Sequence, residues 1–320
     1  MKERPPTETR DNSSVDVLVL GGASTDFVAY GATLPGAGDE LVGNIFCELP
    51  GGKGANQAVA VARLGARAGL VARVGADTRG DAILHHLQRE GVDTRSCRRD
   101  PDEPTGAILL MVNHEGTKQT LTVPGATGRL STDDFDEAID GLAQAQLLLV
   151  QFEAPRSTVL HAIASAHQLG RRVLLDAAPP MSVPDEVWEQ IYLIRANARE
   201  ASVLAGCEVH DADTARHAAK RFFDRGVQVA AIQAGAEGNI LIWHGGEVLL
   251  PPIEVNMVDK TGAGDAFIAA LAVALLEEQP WTEAGWFANA AAALATTRLG
   301  AEPGIPRRHD VTSLLDELRG

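Results

Sequence analysis

The chain has 320 residues, 45% of them hydrophobic, and carries 28 Lys and Arg against 43 Asp and Glu, a formal charge of −15. That length supports a large core in one or two domains. The acidic excess argues against nucleic acid and against membrane surfaces as partners, because it repels phosphate backbones and anionic lipid, and it admits a small anion only where local backbone donors outweigh the global field.

From the amino terminus, residues 1–14 are polar and proline-bearing without an apolar signal region, and read as a flexible tail ahead of one domain over 15–320. The run Val15 to Leu20 is a strand, and glycine- and proline-rich residues 28–45 interrupt regular structure. Next come a helix over Ala55 to Leu64, a strand over Gly69 to Val74 and a helix over Asp81 to Glu90. Residues 105–123 hold strand-like pieces around the turn Asn113-His114-Glu115-Gly116, and together with 28–45 predict a small antiparallel lid. Strands then fall at Leu147 to Phe152, Arg172 to Leu175, Tyr192 to Ile194 and Val227 to Ile232, with helices at Arg156 to Leu169 and Thr214 to Arg225. Gly65, Gly91, Gly170 and Gly226 close the four crossover helices. A hairpin over Asn239 to Leu250 precedes long helices at Gly262 to Glu278 and Thr282 to Arg298. Continuously apolar strands alternating with helices predict an α/β fold, with a mostly parallel sheet covered on both faces.

Several chemistries are excluded by spacing. Cys47, Cys97 and Cys207 show no CxxC pattern, which fits a reducing cytoplasm and no zinc site. The most apolar stretch, Ala266 to Leu276, is too short to span a bilayer. Gly52-Lys53 lacks the rest of a P-loop, and neither Gly21-Gly22 nor Gly262-Ala263-Gly264 completes a dinucleotide fingerprint.

The strongest signal is Asp259-Lys260-Thr261-Gly262-Ala263-Gly264-Asp265, opening an apolar helix. Free N–H groups and the positive dipole end form an anion hole, and a carboxylate at its mouth suits a base that deprotonates an attacking group. An ordinary first-turn aspartate is the plain alternative. A second cluster, Pro50-Gly51-Gly52-Lys53-Gly54-Ala55-Asn56-Gln57, offers an ammonium and an amide to a polyhydroxylated ligand, or is a tight loop and cap. Asp26 and Glu153 follow strands at the carboxyl end of the sheet, where open α/β sheets bind ligands. Asn197 and Glu200 share a helical face, suited either to the waters of Mg²⁺ or to a cap. Gln233 to Gly238 forms a glycine turn after a strand.

In this order the motifs resemble the ribokinase-like carbohydrate kinases, the PfkB family, over about Val15 to Leu318. Pro50 to Gln57 is similar to the family's first signature, Val150 to Pro155 to its sugar-contact strand end, Asn197 to Glu200 to its N-x-x-E motif and Asp259 to Phe267 to its catalytic signature. The resemblance implies a three-layer α/β sandwich with a β lid, and transfer of the ATP γ-phosphoryl group to a primary hydroxyl. D-ribose is the leading substrate; deoxyribose, another small sugar or a nucleoside are alternatives, and a silent sugar sensor is a further one. By resemblance Asp265 is the base and Gly262, Ala263 and Gly264 the anion hole, while Ser24, Asp26, Gly52, Lys53, Asn56 and Glu153 hold the sugar. Asn197, Gln233, Gly235, Gly238, Gly264 and Asn289 line the nucleotide, and Glu200 acts on Mg²⁺ through water. A monovalent cation, K⁺, falls to Asp259, Thr261, Ala295, Arg298, Gly300 and Gly304, and the lid implies a homodimer. Three positions depart from the pattern: Ser24 stands for the usual asparagine, Lys260 for a small or hydroxyl residue, and Gly304 for a serine.

Overall fold

A computed structural model describes residues 15–319; the predicted tail 1–14 lies outside the described residues. Thirteen strands occur among the described residues, in chain order β1 (Val17–Leu20), β2 (Ser24–Gly31), β3 (Ile45–Gly51), β4 (Ala68–Gly75), β5 (Cys97–Asp100), β6 (Gly106–Asn113), β7 (Lys118–Val123), β8 (Leu147–Gln151), β9 (Arg172–Asp176), β10 (Leu193–Ala196), β11 (Val229–Gln233), β12 (Asn239–Trp243) and β13 (Gly246–Leu250). Nine form one sheet in the order β13-β12-β11-β10-β9-β8-β1-β4-β5, parallel except for the two antiparallel pairings of the hairpin β12–β13 at one edge.

Side-chain alternation along these buried strands feeds two separate cores. Val17, Val19, Leu147, Leu149, Leu174 and Leu193 pack toward the helices Lys53–Arg63, Ala263–Leu276 and Trp281–Ala295. Their neighbours Leu18, Leu20, Leu148, Val150, Leu175 and Ile194 pack toward the helices Arg156–Gln168, Ala198–Ala205 and Ala212–Phe223. Two covered faces explain why the strands read as unbroken apolar runs. The glycines predicted to close helices, Gly65, Gly91, Gly170 and Gly226, all have positive φ, the conformation that stops a helix without a Cβ penalty.

The second sheet has the order β3-β2-β6-β7. It corrects two expectations. The sheet is mixed and not antiparallel throughout, because β2 and β6 run parallel; the chain returns to the main sheet between them and so re-enters in the same direction. It also begins at Ser24 and not at residue 28, so Ser24 and Asp26 are strand residues of this second sheet.

The order of the main sheet reverses at β1, which pairs with β4 on one side and β8 on the other. At such a switch point the connections leave in opposite directions and open a crevice at the carboxyl ends. Here the crevice is shaped by backbone contact. A Cβ on Gly54 would lie 2.6 Å from the carbonyl carbon of Gly21, so the helix Lys53–Arg63 starts directly against the end of β1. Alanine normally favours a helix by about 1 kcal/mol over glycine. Gly54→Ala is nevertheless expected to destabilise the protein by about 1–3 kcal/mol, because backbone must move to admit the methyl group. Urea unfolding reads the sign directly, and a rise in midpoint would contradict this packing.

Candidate active site

A cleft of ≈ 860 Å³ lies at the carboxyl ends of the main strands, roofed by the second sheet. Paired residues of that sheet fall on common faces. Asp26 and Val28 of β2 register with Ile108 and Leu110 of β6, which in turn register with Thr122 and Thr120 of β7. Ser24, Asp26, Ile108, Leu110, Thr120 and Thr122 all line the cleft.

One end of the cleft is lined by buried polar side chains. Glu153 Oε2 accepts the Lys53 backbone N–H at 2.8 Å, joining the residues after β8 to the start of the glycine-rich helix. Ser24 Oγ, Asp26 Oδ1 and Asn56 Oδ1 are buried without a hydrogen-bond partner among the described residues. Buried polar atoms left unpaired are costly and demand a ligand or solvent partner. Burial, reinforced by the charges of Glu153 and Asp265, pushes the Asp26 carboxyl up to about 8. Burial likewise raises Glu153 to about 7, despite the opposing Lys53 ammonium.

At the centre stands Asp265 in the first turn of the helix Ala263–Leu276, 4% exposed. Its carboxylate accepts Gln57 Nε2 at 2.9 Å, Asn56 Nδ2 at 3.3 Å and Lys53 Nζ at 3.4 Å. Lys53 Nζ also donates to Asp176 Oδ2 at 3.2 Å. Burial alone would lower the Lys53 ammonium, but Asp176, Asp265 and Glu153 together raise it, so it stays charged. The helix begins at Gly262, which has φ 84 and no side-chain cap, so the amides of its first turn face the cleft unshielded. A Cβ at Gly262 would lie 2.9 Å from the Ala301 backbone, which holds this turn against the following loop.

The other end is cationic. Lys118 reaches from β7 to donate to Thr261 Oγ1 at 3.0 Å, and Lys260 is exposed at the rim. Over the whole cleft, five Lys and Arg stand against four Asp and Glu, a local reversal of the chain's acidic balance. Asn197 caps the helix Ala198–Ala205 in a reciprocal box with Glu200, whose carboxylate accepts the Asn197 N–H at 2.8 Å and Nδ2 at 2.7 Å.

Twelve of the residues given a role from the sequence line this one cleft, from Ser24 and Asp26 through Asn56 and Glu153 to Glu200 and Asp265. Others stand apart from it. Gln233 is exposed at the end of β11, and Gly235 and Gly238 flank a short turn whose Cβ positions would meet the His210 and Leu250 carbonyl oxygens at 2.0 and 2.1 Å. Asn289 is buried and donates to the Pro251 carbonyl at 2.8 Å while accepting from Asn239, so its amide ties the helix Trp281–Ala295 to the hairpin. Of the residues assigned to a monovalent cation, Thr261 and Gly300 meet at Asp259, whose carboxylate accepts Thr261 N at 2.9 Å, Thr261 Oγ1 at 2.7 Å and Gly300 N at 2.9 Å. A Cβ on Gly304 would lie 2.1 Å from the Ala295 carbonyl oxygen. Arg298 is exposed, and its guanidinium donates to the Pro303 carbonyl at 3.4 Å.

Residues 15–308 match the pfkB family of carbohydrate kinases. The chain belongs to that family. Among relatives of this carbohydrate kinase, the ribokinase of Haemophilus influenzae is 35% identical over 94% of this chain and 98% of its own length. A deoxyribokinase of Salmonella typhimurium is 33% identical over 81% of this chain and 85% of its own. The structure of Arabidopsis thaliana ribokinase with ribose and ATP superposes with a TM-score of 0.84 at 30% identity, covering 94% of this chain and 99% of that one.

Sequence reasoning misses Asp176, Arg195 and Lys118 as members of the site, and places Gln57 in the first signature without a role of its own. The available signals are Asp176 as a charge closing a run of apolar strand residues and Arg195 as a charge inside another strand.

The raised carboxyls set a pH dependence. Above about pH 4 an unfolded Asp or Glu is ionised while folded Asp26 and Glu153 still hold their protons, so folding binds protons and stability falls as pH rises toward 8. The melting temperature of the ligand-free kinase is expected to fall from about pH 5 to about pH 8 and then level, with Asp26→Asn flattening the decline. Thermal unfolding across that range checks it, and a rising profile would contradict the burial of these groups.

Proposed function

We propose that this carbohydrate kinase transfers the γ-phosphoryl group of ATP to the 5-hydroxyl of D-ribose, yielding ribose 5-phosphate and ADP. The observation that carries this reading is the set of buried, unpaired acceptors at Ser24, Asp26 and Asn56 beside Asp265 and an uncapped helix start. The ribokinase relatives support the pentose. Ring hydroxyls bind Ser24, Asp26, Asn56 and Glu153, with the Gly52 backbone close by, which directs the primary hydroxyl toward Asp265. Lys53 holds the carboxylates around that hydroxyl. Asp265 takes its proton as the oxygen–phosphorus bond forms and the bond between the γ-phosphorus and the bridging oxygen of ADP breaks. The amides of Gly262, Ala263 and Gly264 steady the charge on the transferring group.

Asn197, Gln233, Gly235, Gly238 and Asn289 belong to the nucleotide side of this reading. There Asn289 and the two glycines act by shaping the surface, since their own groups are engaged or crowded. Mg²⁺ neutralises phosphate charge when it accompanies the nucleotide. Glu200 fits an outer-sphere role, because each carboxylate oxygen already accepts from Asn197 and retains a lone pair for water. The Asp259 turn with Thr261, Ala295, Gly300 and Gly304 fits a monovalent cation held mostly by carbonyls, Arg298 contributing through its backbone. Lys260 either points to solvent, which its exposure favours, or adds a neighbouring charge that lessens the dependence on K⁺, and activity that depends fully on added K⁺ would refute the second.

The far side of the second sheet supports a homodimer. Phe46 is 67% and Leu121 64% exposed, and Leu109, Met111 and Val123 share their face, with Phe27 stacked on Phe46. An apolar sheet face of this kind is costly in water unless a second copy covers it.

A second substrate has specific support. Ser24 offers a shorter side chain than the amide usual at its position, and deoxyribokinases are among the relatives. A panel of ribose, deoxyribose and nucleosides with Mg-ATP, with and without K⁺, separates the readings by ADP release; ribose is expected to lead, and faster deoxyribose turnover would reverse the order. Asp265→Asn is expected to lower kcat by about 10²- to 10⁴-fold while ribose still binds. An unchanged kcat would remove the base assignment. The double change Phe46→Asp with Leu121→Asp is expected to give monomers by analytical ultracentrifugation where the unaltered chain sediments as a dimer.

A further inference from the structure

Asp176 ends β9 and is fully buried, and its carboxylate gathers cations from two directions. Oδ2 accepts Lys53 Nζ at 3.2 Å and Gln57 Nε2 at 3.0 Å, while Oδ1 accepts Arg195 Nη1 at 3.1 Å. Arg195 is the register partner of Asp176 on the adjacent β10, so the sheet itself sets the two side chains together. The same Nη1 stands 3.8 Å from Glu200 Oε2. The guanidinium then lies across the first turn of the helix Ala263–Leu276. A Cβ at Gly264 would fall 2.5 Å from Nη1, 2.6 Å from Cζ and 2.7 Å from Nη2. Glycine at 264 therefore makes room for this cation as well as for an approaching anion. Nη1 makes both carboxylate contacts, and Arg195 lines the cleft.

We propose that Arg195 is a catalytic residue of the phosphoryl transfer, its guanidinium binding an oxygen of the migrating group beside the amides of the helix start. This deepens the kinase reading and rests on it. The anion hole is then a composite of neutral amides and one fixed positive charge. A guanidinium held by a buried carboxylate needs little reorganisation as charge develops, which is the condition under which such groups accelerate transfer. Charges at this distance act through a low-dielectric site and are felt strongly by an arriving anionic group. Lys53 serves the opposite side, facing Asp265 and the sugar, so the two cations sharing Asp176 flank the line of transfer.

The rival account makes Arg195 only the counter-ion that lets Asp176 be buried, and a double variant separates the two. Arg195→Gln is expected to lower kcat with ribose and Mg-ATP by about 10²- to 10³-fold with the ribose KM within about twofold. Arg195→Lys, which keeps charge and loses the fork, is expected to fall between. Pairing Arg195→Gln with Asp176→Asn removes both charges: kcat staying low supports the proposal, whereas recovery to the unaltered level overturns it. Calorimetry with Mg-ADP and aluminium fluoride gives a readout apart from turnover. There Arg195→Gln is expected to weaken binding at least about tenfold while Mg-ADP alone binds within about threefold. Equal affinity for the fluoride complex overturns the role of Arg195. Failure of the unaltered chain to phosphorylate any sugar would instead sink the kinase reading, and the fluoride titration keeps the two failures apart.

Discussion

The site depends on one buried carboxylate. Asp176 stands at the carboxyl end of a central strand with no exposed surface, a position that an isolated charge cannot hold. Lys53 and Arg195 make it tenable; burial would raise its proton affinity, and the two cations lower it. Each cation is thereby fixed from a different element, Lys53 from the glycine-rich helix start and Arg195 from β10. Removing one cation of such a cluster leaves the carboxylate under-compensated, so the helix start and the strand ends share one electrostatic tie.

The glycines complete that constraint from the other side. Gly51, Gly54 and Gly264 occupy places where a Cβ would meet the Asp26 carboxylate, the Gly21 backbone and the Arg195 guanidinium. Their common feature is the close approach of a polar group or backbone that the cleft requires. Small residues and buried charges are therefore two aspects of one packing solution at the β1 switch point.

Much of the main sheet was legible because burial on both faces leaves an unmistakable apolar run, and helix ends were legible because glycine at positive φ stops them. The mixed second sheet was not, since a parallel pairing between β2 and β6 is a long-range fact that no local pattern announces. Short helices such as Thr132–Asp136 and Ala301–Gly304 hold too few turns for periodicity to register. Within the site, residues in glycine-rich signatures were found from sequence because their spacing is itself a chemical statement. Asp176, Arg195 and Lys118 were missed because their meaning comes from partners up to 143 residues away, as the Lys118 to Thr261 contact shows.

The second sheet joins two requirements that pull on the same strands. Period-two alternation gives β2, β6 and β7 one face of Ser24, Asp26 and Thr120 that lines the cleft and another of Phe27, Leu109 and Leu121 turned away from it. A one-residue slip of register would exchange these faces and destroy both at once. The lining of the cleft and the apolar outer face are thus coupled by the pleat alone. Lys118 adds a tie between the second sheet and the turn that opens the helix Ala263–Leu276, so the two ends of the cleft are joined across it through Thr261.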